Sequence, residues 1–514
     1  MSEIVLIGAG INGLVAAAEL ALRGKKVRIL ERGPTPGGAV RTEELTLPGF
    51  RHDVAAMNLS MFAGSAFMAA HGADMAKHGM EFVPIDRPFA QAMAPGDYLG
   101  VSTDPEETLA TFASEADKVT WRQMMAEFPE RIAVLGPLFG TPMRRGPLLK
   151  YLWKSWRALG TTKTLETLQF LLSTPRAWLE DTFEDPRLCT ALSTWGLHID
   201  FAPDVAGGAV FPYLEGMAGQ AMGMVIGKGG ADVATRALVS IIAAHGGRID
   251  CDTEVTEILH ANGQITGVVA NGKKIETSTI LASLAPKHLL RLIGGSSGNA
   301  RYDRGLAKFR HAPGTMMVHL ALDAPVPWLA EALKGFAYVH IGRSMDTAAA
   351  TYAQALAGFL PETPLLVVGQ PSLFDPSRAP EGKHTLWVQA RVVPAEIKGD
   401  EKGEISARNW ADAKEAMAER VLDLIEEQAP GFRAHILARH VVSPLDLEAG
   451  NPNLVGGDQV CGSHHLTQNF LFRPVLGFAD GHTPLEGLSL IGAAAWPGGG
   501  TGAGSGHFAA QMIK

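Results

Sequence analysis

Three glycines near the start of the chain, Gly8, Gly10 and Gly13, have the GxGxxG spacing that can bind the pyrophosphate of a dinucleotide. The first glycine of such a motif permits a tight turn, the second lets the phosphates approach the backbone, and the third lets a helix pack closely on a strand. Glu31 follows at roughly twenty residues, where an acidic side chain can accept hydrogen bonds from ribose hydroxyl groups. This spacing predicts a dinucleotide site.

The elements that must position these residues are indicated by the flanking sequence. Residues 4–7 are a short apolar run typical of a buried parallel strand, and residues 14–23 are rich in helix-forming side chains. Gly24 ends that helix, and residues 27–30 predict a second strand. The N-terminus of the helix would face the pyrophosphate with unpaired N–H groups and a partial positive charge.

The segment after Glu31 indicates which dinucleotide binds. Gly37 and Gly38, followed by Arg41 and Thr42, resemble the extended motif of the amine oxidase and phytoene desaturase superfamily of flavoproteins. The resemblance implies that this segment runs along FAD, with the two glycines in contact with it and Arg41 near a phosphate or the flavin. No second complete GxGxxG follows a predicted strand, so we expect no separate NAD(P) domain.

Two later segments fit the same superfamily. Residues 227–232 precede an apolar helix and a run of short predicted strands, an order that implies the second half of an FAD domain, with Val255 at the adenine side. Residues 488–491 predict a strand, and residues 492–506 contain seven glycines in fifteen positions. Such a stretch cannot form a packed strand or helix, but it suits backbone that lies along a flat ligand.

Further matches span the chain, among them DPSRAPEGKH at 375–384, GGD at 456–458 and Arg473-Pro474. In these stretches the chain resembles the family of pyridine nucleotide-disulfide oxidoreductase domain-containing protein 2 and related bacterial phytoene desaturase-like proteins. One position departs from the family pattern, because Trp496 stands before Pro497 where a histidine is usual. Any proton transfer expected at that position is therefore in doubt.

The resemblance implies an α/β fold class, with a Rossmann-type, GR2-like FAD-binding domain intertwined with an α+β substrate domain that carries a mixed sheet and a helical lid. We expect residues 1–60, 216–295 and 456–514 to form the FAD-binding domain. Residues 61–215 and 296–455 would form the substrate domain.

The predicted site residues fall into two groups. Those expected to bind FAD are Gly8, Gly10, Ile11, Asn12, Gly13, Glu31, Arg32, Gly37, Gly38, Ala39, Arg41, Thr42, Val255, Gly492, Ala493, Gly499, Gly500 and Thr501. Those proposed for catalytic or polar roles beside the flavin are Trp496, His319, His52 and His507. No histidine or cysteine spacing is typical of a metal site, so we predict none.

Dehydrogenation by hydride transfer needs little from the protein beyond positioning and exclusion of water, since the flavin accepts the hydride. The main hypothesis is therefore an FAD-dependent oxidoreductase that desaturates an apolar small or medium organic substrate and passes electrons to oxygen or a quinone. Three alternatives remain at this point: oxidation of an amine or alcohol, FAD-assisted isomerisation without net redox change, and a binding protein that keeps FAD for stability.

The composition of the chain indicates which partners and which cellular location to expect. The formal net charge of −8 disfavours a nucleic-acid partner, and the three cysteines lack ligand spacing, which fits a reducing compartment. Without signal-peptide features or a long apolar stretch, a cytoplasmic location is expected. Residues 135–159 mix basic and aromatic side chains, which predicts either peripheral contact with a membrane or a helix packed on the lid.

Overall fold

The computed structural model describes residues 3–513 and builds them into strands and helices around two main sheets. The strands are β1 (Ile4–Ile7), β2 (Val27–Leu30), β3 (Thr42–Glu43), β4 (His52–Asp53), β5 (Phe82–Ile85), β6 (Phe89–Ala92), β7 (Tyr98–Val101), β8 (Met224–Gly227), β9 (Arg248–Asp250), β10 (Val255–Ala261), β11 (Gln264–Ala270), β12 (Lys273–Glu276), β13 (Ile280–Ser283), β14 (Gly314–Leu322), β15 (Tyr338–Ile341), β16 (Phe359–Leu360), β17 (Leu365–Gly369), β18 (His384–Val393), β19 (Gly399–Asp400), β20 (Ile436–Val442) and β21 (Leu488–Ile491).

The helices connect and cover these strands. They are α1 (Ile11–Leu22), α2 (Ser60–Ala63), α3 (Ala66–Lys77), α4 (Pro105–Ala110), α5 (Glu115–Phe139), α6 (Arg145–Leu172), α7 (Pro175–Thr182), α8 (Pro186–Gly196), α9 (Val210–Met222), α10 (Asp232–Ala244), α11 (Pro286–Leu292), α12 (Ala300–Ala307), α13 (Met345–Ala357), α14 (Trp410–Gln428), α15 (Pro444–Gly450) and α16 (Gly504–Met512).

The first sheet is parallel, with the strand order β21-β13-β1-β2-β9. Helices α1, α10 and α16 pack against one of its faces through a continuous apolar core. The antiparallel strands β10, β11 and β12 share a second core with the other face. Because a parallel sheet must be covered on both faces, its central strand β1 is apolar and buried along its whole length, as its sequence predicts. The predicted α/β class with a Rossmann-type domain is confirmed.

The second sheet is mixed, with the order β20-β14-β18-β17-β15-β6-β7, in which only β6 and β15 pair in parallel. One face is apolar and packs against α14. Side chains alternate along a strand, so the opposite face, called here the inner face, takes every second residue of the same strands. Helices α5, α8 and α9 cover the inner face. The domain boundaries themselves stay a prediction.

Helix α6 differs from the rest because none of its residues is buried. It is interrupted at Gly160, where φ is +73°. Its exposed surface includes Leu149, Leu152, Trp153 and Trp156. No helix within residues 3–513 combines the length and the apolar character needed to cross a bilayer.

A buried ion-pair network connects segments far apart in the chain. The Arg378 guanidinium donates to the Asp53 carboxylate at 2.5 Å and to Asp375 at 3.2 Å. Arg378 and Asp53 are 0% and 1% exposed. The other Asp53 oxygen accepts from the Thr42 hydroxyl and from the Ala231 N–H, both at 2.7 Å. The network therefore connects Thr42, which follows the glycine pair Gly37 and Gly38, to the turn before α10 and to residues 375–378.

Candidate functional site

The loop between β1 and α1, together with the first turn of α1, contains three glycines that are required for different reasons. At Gly8, φ is +91° and an added β-carbon would lie 3.1 Å from the Ser283 carbonyl oxygen. At Gly13 it would lie 2.3 Å from the carbonyl oxygen of Gly8. At Gly10, φ is −69° and an added β-carbon would meet no heavy atom within 4 Å. The protein itself thus requires glycine at positions 8 and 13, whereas Gly10 borders open space of the kind a phosphate group needs.

Glu31 lies beside this loop. Its carboxylate accepts hydrogen bonds from the N–H groups of Ala9 at 2.6 Å and Gly33 at 2.7 Å. These bonds hold the carboxylate next to the dinucleotide loop, where a ribose would lie. The neighbouring Arg32 instead reaches the Ala449 carbonyl oxygen at 3.1 Å.

The glycine pair packs directly on the dinucleotide loop. The Gly37 N–H donates to the Ala9 carbonyl oxygen at 2.8 Å. An added β-carbon on Gly38, where φ is +61°, would lie 3.0 Å from the Gly10 Cα. Only residues without a side chain let the two segments approach this closely.

A cavity of about 330 Å³ opens beside the glycine pair, at the lower end of the usual range for ligand pockets. Its lining residues include Gly38, Ala39, Arg41, Val54, Ala55, His440, Leu447, Asn451 and Leu454. The Arg41 Nε is buried without a hydrogen-bond partner among the described residues, and it lies 3.4 Å from a Glu43 carboxylate oxygen. An anionic ligand group in this cavity would meet that guanidinium.

Two other predicted contacts, Thr42 and Val255, lie at the margins of this region. The Thr42 hydroxyl is bound to Asp53, so it serves the buried ion-pair network. Val255 is buried at the start of β10, and the nearby Thr253 N–H donates to the Glu31 carbonyl oxygen at 2.8 Å. The backbone before Val255 is therefore adjacent to the acid expected to bind ribose.

Ile11 and Asn12 are buried in α1. The Asn12 Oδ1 accepts from the Ser505 hydroxyl at 2.8 Å and so fixes α1 to α16. The same hydroxyl accepts from the Gly492 N–H at 2.8 Å. These bonds engage the Asn12 side-chain oxygen in positioning the dinucleotide loop.

The glycine-rich C-terminal loop is held by buried polar groups. Buried Arg473 donates to the Ala493 carbonyl oxygen at 2.7 Å. The Gly499 N–H donates to the His464 Nε2 at 3.0 Å. Burial, followed by the nearby Arg473 charge, holds the pKa of His464 well below its usual value, so a neutral ring accepts this bond. At Gly500 φ is +117°, and the Thr501 hydroxyl lies 3.4 Å from the Asn58 carbonyl oxygen.

Trp496 occupies the junction between this loop and α5. Its indole N–H donates to the Thr141 carbonyl oxygen at 3.0 Å. Its ring stacks on Phe139 at a centroid distance of 6.0 Å and contacts Phe470 at 5.0 Å. With its only polar atom engaged, Trp496 has a packing role here, and its predicted place at the flavin stays a prediction.

Three histidines meet at the edge of the inner face. The rings of His52 and His319 are 5.4 Å apart, and those of His319 and His440 are 6.4 Å apart. Burial lowers the pKa of His52 to about 4, with smaller contributions from His440 and Arg378. Burial likewise holds the pKa of His319 well below its usual value. Both rings are therefore neutral near pH 7, suited to hydrogen bonding and not to acting as cationic acids.

The fourth candidate, His507, is not part of this cluster. Its Nδ1 lies 2.8 Å from the Glu19 carboxylate, a hydrogen bond that joins α16 to α1. The structure thus brings two of the four proposed catalytic residues, His52 and His319, together.

The inner face carries an unusual density of buried polar atoms. In β18, Leu386, Val388 and Ala390 belong to the apolar core with α14, and the alternate residues point to the inner face. Several polar atoms at this face lack a hydrogen-bond partner within residues 3–513: Trp195 Nε1, His198 Nε2, the Tyr213 hydroxyl, both nitrogens of His319 and His340, Thr385 Oγ1 and Trp387 Nε1. Buried polar groups are normally paired, so such a cluster indicates a place for a ligand or bound water.

Most of these inner-face residues were not singled out from the sequence. The alternation of HTLWVQAR at 384–391 is a usable signal, since polar and aromatic side chains occupy every second position of a predicted strand. Without the sheet order, that pattern does not show whether the polar side faces solvent or a ligand. The structure shows it covered by helices.

Glu215 on α9 was also missed. It has no hydrogen bond or ion pair with any described residue, and burial raises its pKa to about 7. It lies near enough to Tyr338 to contribute to the raised pKa of that phenol, after the larger effects of burial and Asp53. A carboxyl group that titrates near neutrality is suited to proton transfer.

A domain model matches the N-terminal part of the chain, and two relatives match it over most of its length. A model of the NAD(P)-binding Rossmann-like domain matches residues 6–69. Pyridine nucleotide-disulfide oxidoreductase domain-containing protein 2 of Rattus norvegicus is 27% identical over 99% of this chain and 93% of its own length. Phytoene dehydrogenase of Streptomyces griseus is 26% identical over 92% of this chain and 88% of its own length.

A solved structure shares the fold. Cyclohexylamine oxidase from Brevibacterium oxydans matches with a TM-score of 0.60 and 16% identity, covering 100% of this chain and 98% of that one. Together with the sequence relatives, it confirms the predicted two-part fold. The sequence relatives confirm the predicted relationship to phytoene desaturase-like proteins and the assignment of the chain to the oxidoreductases.

Proposed function

We propose that this chain, a phytoene desaturase-like oxidoreductase by its relatives, uses bound FAD to dehydrogenate a small or medium organic molecule with a largely apolar skeleton. The observation that carries the cofactor assignment is the open space at Gly10. Gly38 packs against Gly10 and, together with Arg41, lines the larger cavity. No contact within the protein requires glycine at position 10, so we attribute the absence of a side chain there to a bound ligand.

The residues fit the parts of FAD. Glu31 would bind the adenosine ribose, the N-terminus of α1 and Arg41 would hold the pyrophosphate, and the backbone from Gly498 to Gly500 would lie near the flavin. FAD would supply the hydride acceptor. The protein would bury the substrate between the inner face and α8 and α9, exclude water, and orient the reacting carbon.

Acceptor consumption tests the reaction class. Holoenzyme is incubated with a candidate substrate and either oxygen or a soluble quinone, and product and reduced acceptor are both quantified. We expect one acceptor reduced for each product that has lost two hydrogens. Product formed without acceptor reduction would indicate isomerisation, and an imine or carbonyl product would indicate amine or alcohol oxidation.

Glu215 gives a pH-dependent prediction that needs no substrate. Its carboxyl pKa is raised from 4.5 to about 7 in the folded chain, so the folded state holds the proton more tightly. The contribution of this carboxyl group to the free energy of unfolding is fully present below its ordinary pKa of 4.5 and is lost as pH rises through about 7. We expect Glu215→Gln to remove up to about 3 kcal/mol of the fall in unfolding free energy between about pH 5 and about pH 8.

Urea unfolding of both proteins at the two pH values measures this effect. Glu166→Gln, at an exposed position of α6, is the matched control and should leave the pH dependence unchanged. An identical pH dependence in wild type and Glu215→Gln would show that Glu215 is not the titrating group.

We further propose that α6 contacts an anionic membrane surface. Between residues 144 and 165 the chain carries six basic side chains and no acidic one, although its net charge is −8. Trp153 and Trp156 are 55% and 48% exposed on the same helix. Exposed aromatic and basic side chains together are typical of helices that lie in a membrane interface.

Vesicle sedimentation tests this contact. Each basic residue near an anionic surface contributes about 1 kcal/mol, so Lys150→Gln with Lys154→Gln should weaken partitioning roughly 30-fold. Lys273→Gln with Lys274→Gln removes the same charge from an exposed strand and should have little effect. Equal losses in both double variants would indicate a non-specific charge effect and would refute the proposed contact.

A further inference from the structure

A second, smaller cavity lies beside the end of β18. Its volume is about 20 Å³, enough for a group the size of one or two water molecules. Its lining residues include His198, Asp200, Thr315, Arg391, Asp458 and Gln459. The cavity is thus small, and Arg391 is the guanidinium group in its partly polar wall.

Arg391 is buried, at 8% exposure, and forms no ion pair within residues 3–513. It donates to the Gln389 side-chain oxygen at 2.8 Å and to the His198 carbonyl oxygen at 2.6 Å. Both acceptors are neutral, and a guanidinium has five N–H donors. Burial lowers the pKa of Arg391 to about 10, so the group is still charged near pH 7. A buried charge without a counter-ion is costly unless a ligand supplies one.

The two carboxylates in the cavity wall are committed elsewhere. Asp458 accepts from the backbone N–H groups of Gly462 at 2.6 Å and Ala312 at 3.0 Å. Asp200 accepts from the Tyr352 hydroxyl at 2.8 Å. Asp458 supports the Arg391 charge from a distance, but neither carboxylate forms a direct bond with the guanidinium. The remaining donors of Arg391 therefore have no anionic partner from the chain.

A hydrogen-bonded chain connects this cavity to the larger one. Gln389, which accepts from Arg391, donates to the Gln459 side-chain oxygen at 2.7 Å. The same Gln389 amide lies 3.4 Å from the carbonyl oxygen of Ala55, which lines the larger cavity. Trp387, two residues along the same strand, lies buried on the same face. Gln389 is therefore the one side chain that separates Arg391 from the wall of the larger cavity in this hydrogen-bonded chain.

We propose that Arg391 is an anion subsite and that the substrate is an organic monocarboxylate, with its apolar skeleton on the inner face. This inference rests on the proposed function, because it places the subsite at one end of the proposed substrate site. A carboxylate matches the planar fork of a guanidinium and fits a cavity of this size. The neutral walls formed by Thr315 and Gln459 supply further hydrogen-bonding atoms.

Calorimetric titration of holoenzyme tests the subsite with decanoate and 4-phenylbutyrate, each compared with the alcohol of the same skeleton. A charge-assisted hydrogen bond predicts that the carboxylate binds about 10- to 100-fold more tightly than its alcohol. Arg391→Met should reduce this ratio to near one, and Arg391→Lys should keep part of it because it keeps the charge. Lys402→Met, which removes an exposed cation that lines neither cavity, should leave the ratio unchanged.

Flavin content is measured on every sample, so that the two proposals can fail separately. A protein that holds flavin but shows no preference for either carboxylate, or the same preference in Arg391→Met, overturns the anion subsite alone. A protein without flavin overturns the proposed function, whatever it does with carboxylates. If Arg391→Met does not fold, the wild-type ratio and its change in Arg391→Lys decide the question.

Discussion

Replacing Gly10 with valine is expected to leave the chain folded and to abolish flavin binding. The backbone at Gly10 is extended, with φ −69° and ψ 169°, which valine adopts without strain. Its side chain would point into space that contains no protein atom within 4 Å of the added β-carbon. That space is where the pyrophosphate must approach, so we expect at least a roughly 100-fold loss of FAD affinity, about 2.7 kcal/mol.

Flavin absorbance per polypeptide and titration of apoprotein with FAD measure this loss. Gly146→Val is the matched control, since an added β-carbon there also meets nothing within 4 Å, and it lies in exposed α6. Gly13→Val is the opposite case, because its β-carbon would lie 2.3 Å from the Gly8 carbonyl oxygen, and we expect it to misfold. Normal flavin content in Gly10→Val would remove the main support for the site.

Replacing Arg378 with methionine is expected to lower the free energy of unfolding by about 3–5 kcal/mol. The change leaves the Asp53 carboxylate buried without its guanidinium, and it also removes the bond from Arg378 to the Gly227 carbonyl oxygen at 2.7 Å. Methionine preserves most of the side-chain volume, so the loss reports on the charge and not on a large cavity.

A double-mutant cycle with Asp53→Asn separates these effects. Because asparagine removes the stranded charge, the double variant should be less destabilised than the sum of the single variants, by about 1 kcal/mol or more. Lys163→Met breaks an exposed ion pair with Glu130 and should change stability by less than about 0.5 kcal/mol. Additive losses in the Arg378 cycle would mean that the buried network is not energetically coupled.

Local sequence patterns predicted the elements around the dinucleotide loop well. The predicted strands at 4–7, 27–30 and 488–491 match β1, β2 and β21, because short apolar runs bounded by turn residues are a local signal. Residues 492–506 were expected to lie outside any helix, but α16 begins within them, at Gly504.

The order of the mixed sheet could not be predicted from such patterns. Strand β14 pairs with β20, more than a hundred residues away, and β6 pairs with β15 across a still longer separation. Pairing at these distances depends on packing of the whole chain and not on the residues of one segment. The inner face exists only after this pairing, which is why Arg391 and Glu215 were missed.

Side-chain direction limited the prediction of catalytic residues in the same way. His507 was placed near the flavin on sequence grounds, but its ring faces Glu19, which lies 488 residues earlier. His319 was proposed for a polar or catalytic role, and the structure places it fully buried beside His52. Backbone motifs such as the glycine loops are more predictable, because their function follows from the absence of a side chain.

The visible spectrum of the purified protein, recorded during anaerobic addition of substrate candidates, tests directly whether the chain is a flavin-dependent dehydrogenase. We expect about one bound FAD per chain and bleaching of the flavin absorbance by a compound with an apolar skeleton. A colourless protein that also fails to bind added FAD would contradict this expectation, and the glycine loops would then have only a structural role.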